Sequence, residues 1–198
     1  MRQILSLAAL AIAAAAATVP AAAHEVEYQA ILSGPNESPP NGSPGTGFAD
    51  VLFDLDLETM RVQVNFSGLV GTTSASHIHC CTAAAGTGTA GVATVTPTFV
   101  DFPLGVTSGT YDRTYDLTLA SSYNSAFITA NGGTVSGAMN ALLFGLADGK
   151  GYLNIHTSAF PGGEIRGFLA PVPEPETYAL MLGGLAVLGW AARRRRTH

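Results

Sequence analysis

Charge is scarce in this sequence. Only 12% of its 198 residues are Asp, Glu, Lys or Arg, about half the usual share of roughly a quarter. Cations are scarcest in the middle: between His24 and Ala170 only Arg61, Arg113, Lys150 and Arg166 stand against twelve acidic residues, a net charge of −8. Such a surface repels nucleic acid and anionic lipid, which excludes nucleic acid as a partner. Cysteine is nearly absent too. The only two are neighbours, Cys80 and Cys81, so the usual disulfide between distant segments is excluded. There is no glycine-rich phosphate loop ahead of a helix, no Ser-His-Asp spacing, no carboxylate pair of glycosidase type that position alone could defend, and no internal repeat.

Apolar residues, in contrast, make up 47% of the chain, and the two ends account for the excess. "MRQILSLAALAIAAAAATVPAAA" carries an early charge at Arg2, an apolar run from Ile4 to Ala17 and small residues at Ala21 to Ala23. It reads as a secretory signal peptide over 1–23, with a mature protein that begins at His24. At the other end an apolar stretch of about 16 residues, Thr177 to Ala192, runs straight into Arg193, Arg194, Arg195 and Arg196. That is shorter than the roughly 20 residues of a stable bilayer span, and the arginines would stay on the cytoplasmic side. A simple tail anchor is the plainer reading. With Pro173, Glu174 and Pro175 ahead of it, however, segment 171–198 resembles a PEP-CTERM sorting signal. That resemblance implies a short transmembrane segment, export through Sec, and a transient stage in the inner membrane. It further implies recognition and removal of the tail by a membrane exosortase, then delivery to the cell surface or extracellular polysaccharide matrix of a Gram-negative bacterium.

Residues 24–170 are enough for one core of their own. Short apolar or alternating pieces bounded by Gly, Pro, Asn and Ser predict strands. "EVEYQAIL", "GFADVLFDLDL" and "MRVQVNFSGL" are the clearest. In the second, Phe48, Val51, Phe53, Leu55 and Leu57 are expected to face inward and Asp50, Asp54, Asp56 and Glu58 to face water; in the third, Val62, Val64 and Phe66 alternate with Arg61, Gln63 and Asn65. Two-sided patterns of this kind suit antiparallel sheet. The turn-rich "SGPNESPPNGSPGTG" separates the first two strands. Ala83 to Gly109 reads as an irregular excursion whose Phe99, Phe102 and Leu104 pack back on the core. Val135, Met139, Leu142, Leu143 and Leu146 fall at helical spacing, with Thr134 as cap and Gly149 as stop, and predict one amphipathic helix. "GYLNIHT" then resumes strand, and "PGGEIRGFLA" returns as its hairpin partner.

"SHIHCC" and "GKGYLNIHTSAFPGGEIRGFL", supported by "AILSGPNESPP", "GTGFADVLFDLD" and "VQVNFSGLVGTTSASHIH", resemble the CHRD domain, a module first described in chordin and found widely in bacteria. The resemblance covers Val26 to Leu169. It implies an extracellular β-sandwich, so the expected fold is mainly β: an antiparallel sandwich of Ig-like or superoxide-dismutase-like layout with one amphipathic helix. It implies no reaction.

On an extended strand His77, His79 and Cys81 share one face, while Ile78 and Cys80 point the other way. If His156 sits opposite, three nitrogens and a sulfur form a set for one copper or zinc ion; the plainer reading is a polar packing cluster. The mature segment holds only His24, His77, His79 and His156, too few for the bimetallic set of a copper and zinc dismutase. His24, as a mature N-terminus, offers a further copper-chelating arrangement. Adjacent Cys80 and Cys81 favour a vicinal disulfide, which would compete with ligation through Cys81; an intermolecular bridge or a free thiol pair are the other states. Glu164 and Arg166, two apart, read as an ion pair fixing the hairpin ahead of a general acid or base. Asn154 and Thr157 read as ladder and turn groups.

The sequence therefore points to an exported, non-enzymatic interaction or structural component that binds an extracellular protein or polysaccharide and meets exosortase and the membrane in transit. The alternative is a metal-binding or redox domain centred on His77, His79 and His156.

Overall fold

Alternation of apolar and polar side chains decides which face of each strand turns inward, and the observed register follows it over most of the chain. The computed structural model describes residues 24–173, 181–186, 188 and 193. The signal-peptide segment 1–23, Glu174, Pro175 and Arg194 to Arg196 lie outside the described residues. Among the described residues no helix is long and apolar enough to cross a membrane.

Three long strands, β1 (Glu25–Ser33), β2 (Thr46–Asp54) and β3 (Thr59–Ser67), form an antiparallel meander. In β3, Val62, Val64 and Phe66 are buried, as the alternation predicts, and Met60 joins them. In β2 the inward residues are Ala49, Val51 and Phe53, with Phe53 edge-on to Tyr28 of β1 at 5.9 Å. Phe48 is only partly buried because its parity sets it beside Asp50 on the outer face. Leu55 and Leu57 are exposed, against expectation. The strand stops at Asp54, whose carboxylate accepts hydrogen bonds from the Asp56 and Leu57 amides and folds the chain into a turn.

The sheet continues through β4 (Thr73–His79), β5 (Gly109–Asp116), β6 (Tyr152–Thr157), β7 (Ile165–Phe168) and β8 (Ala170–Pro171), all paired antiparallel. Its order is β4-β6-β7-β1-β2-β3-β5, with β8 on β1, and it curls around one core. The predicted excursion joins the two ends. Ala93 and Phe99 donate to carbonyls of Ile78 and Ser76 on the free edge of β4, and the Tyr111 and Tyr115 hydroxyls of β5 hold Val100. An edge covered in this way offers no template for strand addition. Phe99 and Phe102 are buried, but Leu104 is about half exposed.

The predicted helix is α2 (Val135–Ala147), following a shorter α1 (Ser125–Ala130). Thr134 caps α2 by accepting from the Gly137 amide, and Gly149 beyond its end takes a positive φ of 69°. Ala138, Leu142 and Leu146 enter the core. Gly145 faces the sulfurs of Cys80 and Cys81, where an added Cβ would collide with both.

Candidate metal centre

Adjacent strands β4 and β6 present opposite parities of one motif each. Ile78, Leu153 and Ile155 turn into the core and are fully buried. The alternate residues stand on the other face in aligned pairs: Ala75 opposite His156, His77 opposite Asn154, and His79 opposite Tyr152. The pairing of β6 with β7 extends these rows to Arg166, beside Asn154, and Phe168, beside Tyr152. Period-two alternation within each strand, together with the β4–β6 register, thus brings His77, His79 and His156 together, and their ligand nitrogens lie within 4.8 Å of one another.

Each ring is held by its far nitrogen. His77 Nε2 donates to the Pro97 carbonyl, His79 Nδ1 to that of Ala90 and His156 Nδ1 to that of Pro161. A carbonyl only accepts, so each contact fixes the tautomer and leaves the near nitrogen with its lone pair. Those near nitrogens, His77 Nδ1, His79 Nε2 and His156 Nε2, are buried and have no hydrogen-bond partner. His79 also stacks on Tyr152 at 4.8 Å, nearly coplanar in orientation.

Burial holds all three imidazoles below the ordinary histidine value, and His79 is pushed down to about 4. For His79 the charges of His77, His156 and Arg166 add to that effect, while its bond to Ala90 opposes it. The cluster is therefore neutral at pH 7, the protonation state in which imidazole is a ligand. Zinc would bind imidazole nitrogen at about 2.0–2.1 Å, so His77, His79 and His156 would hold a shared ion by closing from their present spacing of up to 4.8 Å. The donor set fits copper as well as zinc.

The other predicted residues fall elsewhere. Cys81 is not in the cluster: β4 ends at His79, the alternation stops there, and its sulfur is bonded to Cys80 and rests on α2. His24 is exposed and turned onto Asp56, outside the cluster. Glu164 and Arg166 do not pair, because β7 begins only at Ile165 and Glu164 still belongs to the turn. Burial pushes the Glu164 carboxyl up. Hydrogen bonds from Ser43, Thr157, Val70 N–H and Gly71 N–H outweigh that and hold it below the usual carboxylate range. Arg166 instead binds the carbonyls of Asn36 and Gly88, lies 3.8 Å from Glu37 and covers the Tyr152 ring at 4.7 Å.

A CHRD domain model matches residues 28–169. The chain belongs to the CHRD domain family. A PEP-CTERM protein-sorting motif follows at 171–196. It is the signal recognised by exosortase, and it marks this CHRD protein as one exported and sorted to the cell surface of a Gram-negative bacterium. No curated protein and no solved structure matches the chain.

Within the CHRD domain, Glu37 carries no sequence signal of its place. It sits on the turn-rich loop after β1, yet it is buried against Asn154 and Arg166. Burial raises its carboxyl to about 7, against the lowering effects of Arg166, the Ser38 amide and Asn154. Nothing local in "PNESPP" points to this, since its partners lie more than a hundred residues away.

Proposed function

We propose that the mature CHRD domain, His24 to Ala170, is a metal-binding component of the cell surface that holds one copper or zinc ion on His77, His79 and His156. The observation that carries this reading is the convergence of three buried, unpartnered ring nitrogens whose opposite nitrogens are all tied to carbonyls. A packing cluster would satisfy its members, and leaving a buried acceptor unsatisfied costs about 1–3 kcal/mol. A shared cation satisfies all three at once.

Bound copper or zinc supplies Lewis acidity, and copper also a one-electron couple. The chain's own residues keep the imidazoles neutral, orient them through Pro97, Ala90 and Pro161, and join β4 to β6 through the shared site. The role is structural or one of interaction with an extracellular protein or polysaccharide. Glu164, the carboxylate of the hairpin signature, is saturated by four hydrogen bonds and is not free to act as a base. The route to the surface is a Sec leader over 1–23 and a transient membrane stage through 171–198, ended by exosortase.

Calorimetric titration of the chelator-treated exported protein with Cu²⁺ and Zn²⁺ tests the reading. One saturable equivalent is expected, lost when His77 and His79 are changed to Ala. Absence of saturable binding by the unaltered protein overturns it.

A further inference from the structure

Among the described residues four buried side-chain polar atoms lack a partner, and three are the ring nitrogens just described. The fourth is Asn154 Oδ1. All four are acceptors, and all four belong to one face of β4 and β6. Asn154 is directly opposite His77 and two residues from His156 on its own strand, with His79 on the diagonal. It therefore neighbours all three histidines in the grid. Its amide orientation is set from behind, where Nδ2 donates to both carboxylate oxygens of Glu37 at 3.1 and 3.3 Å. With both Glu37 oxygens within hydrogen-bond distance of Nδ2, the nitrogen faces Glu37 and the oxygen is left over. Asn154 itself is 3% exposed, so water does not satisfy that oxygen at the surface.

We propose that Asn154 Oδ1 is the fourth donor of the centre, which makes the set three imidazoles and one amide oxygen, with Glu37 as the residue that positions the amide. This rests on the metal reading of the three histidines. It replaces the sulfur that the sequence pattern offered at Cys81 by an oxygen that the sheet register supplies. It also accounts for the burial of Glu37, whose carboxylate holds the amide nitrogen while Arg166 on its other side balances its charge. Oxygen beside three nitrogens suits copper or zinc and disfavours the thiolate-seeking cuprous ion.

The test starts with the unaltered exported protein, labelled with ¹³C and ¹⁵N and titrated with zinc. The Asn154 Cγ and Nδ2 resonances should move with the first equivalent, in step with the ring signals of His77, His79 and His156. Ring signals that shift while the Asn154 side chain stays still overturn the fourth donor and leave the histidine reading standing. Ring signals that do not shift overturn both. Asn154→Ala should bind zinc about 10–100-fold more weakly, the range expected when a supporting group of a metal site is lost. It should also alter the electron paramagnetic resonance spectrum of the Cu²⁺ form. The paired exchange Glu37→Gln with Asn154→Asp, which keeps an oxygen toward the centre and a donor behind it, should restore affinity. Equal affinity and an unchanged spectrum in Asn154→Ala overturn the proposal.

Discussion

Glu164→Gln removes one charge and no volume from a fully buried site, and the structure says what that costs. One carboxylate oxygen accepts from the Ser43 hydroxyl and the Val70 amide, the other from the Thr157 hydroxyl and the Gly71 amide. The hydroxyls can rotate to accept from a glutamine N–H, but the two backbone amides cannot. Whichever way the glutamine is turned, one backbone N–H faces a donor. The substitution loses at least one charge-assisted bond, worth about 1.5–3 kcal/mol, and leaves a buried donor unpaired for about 1–3 more. A loss of about 3–5 kcal/mol is expected, a large part of the roughly 5–15 kcal/mol that holds a domain folded. The sign with pH is also determined. The carboxyl is held below its ordinary value of 4.5 in the folded state. Its contribution is complete above that value and is lost as pH falls through the folded pKa. Urea unfolding of the metal-free protein at pH 7 and at pH 4 and below measures both effects. The wild-type advantage should be largest at pH 7 and shrink in acid. A midpoint within 1 kcal/mol of wild type at pH 7, at unchanged m-value, would refute the assignment of Glu164 as the hub of this corner.

Other expectations follow from the same geometry. Glu37 binds its proton more tightly folded than unfolded, with a carboxyl raised from 4.5 to about 7, so the native state loses stability as pH rises through that window. Glu37→Gln should therefore gain on wild type by about 3 kcal/mol between pH 4.5 and 7, a shift of one unit being about 1.4 kcal/mol; parallel stability curves for the two proteins would contradict this. Gly145→Ala drives a methyl onto the Cys80 and Cys81 sulfurs and should cost about 1–3 kcal/mol by overpacking; an unchanged thermal midpoint would show that α2 does not rest there. Zinc at about a hundredfold over its dissociation constant should stabilise the protein by about 2.7 kcal/mol. His156→Ala should abolish that gain, and a persistent gain would place the ion elsewhere.

The core was legible wherever side-chain alternation coincided with strand length. Val62, Val64 and Phe66 could be read directly, and so could the spacing of α2 and the hairpin from "GYLNIHT" into "IRGF". Alternation misleads when it runs on past a strand end. Leu55 and Leu57 keep the period of β2 but lie in a turn made by Asp54, and Cys81 keeps the period of β4 two residues after pairing has stopped. Glu164 fails in the opposite sense, one residue before β7 begins. Tyr111 and Tyr115 did carry a period-two signal for β5 that the surrounding Asp, Arg and Thr residues masked.

For the site, the local half was readable and the distant half was not. His77 with His79, and Asn154 with His156, share faces by spacing alone. The register that sets one pair against the other depends on tertiary pairing across more than seventy residues. Loop carbonyls at Ala90, Pro97 and Pro161, which fix the tautomers, have no side-chain signature at all. Asn154 could have been singled out as the polar residue two before a candidate ligand on an otherwise apolar strand.

Elemental analysis of the exported protein, isolated without chelator and without a histidine tag, decides whether the histidine cluster holds metal. About one copper or zinc per chain is expected, and none in the variant with His77 and His79 changed to Ala. A metal-free wild-type protein that stays so after incubation with excess copper and excess zinc would contradict this, and would return "SHIHCC" to the framework of the sheet.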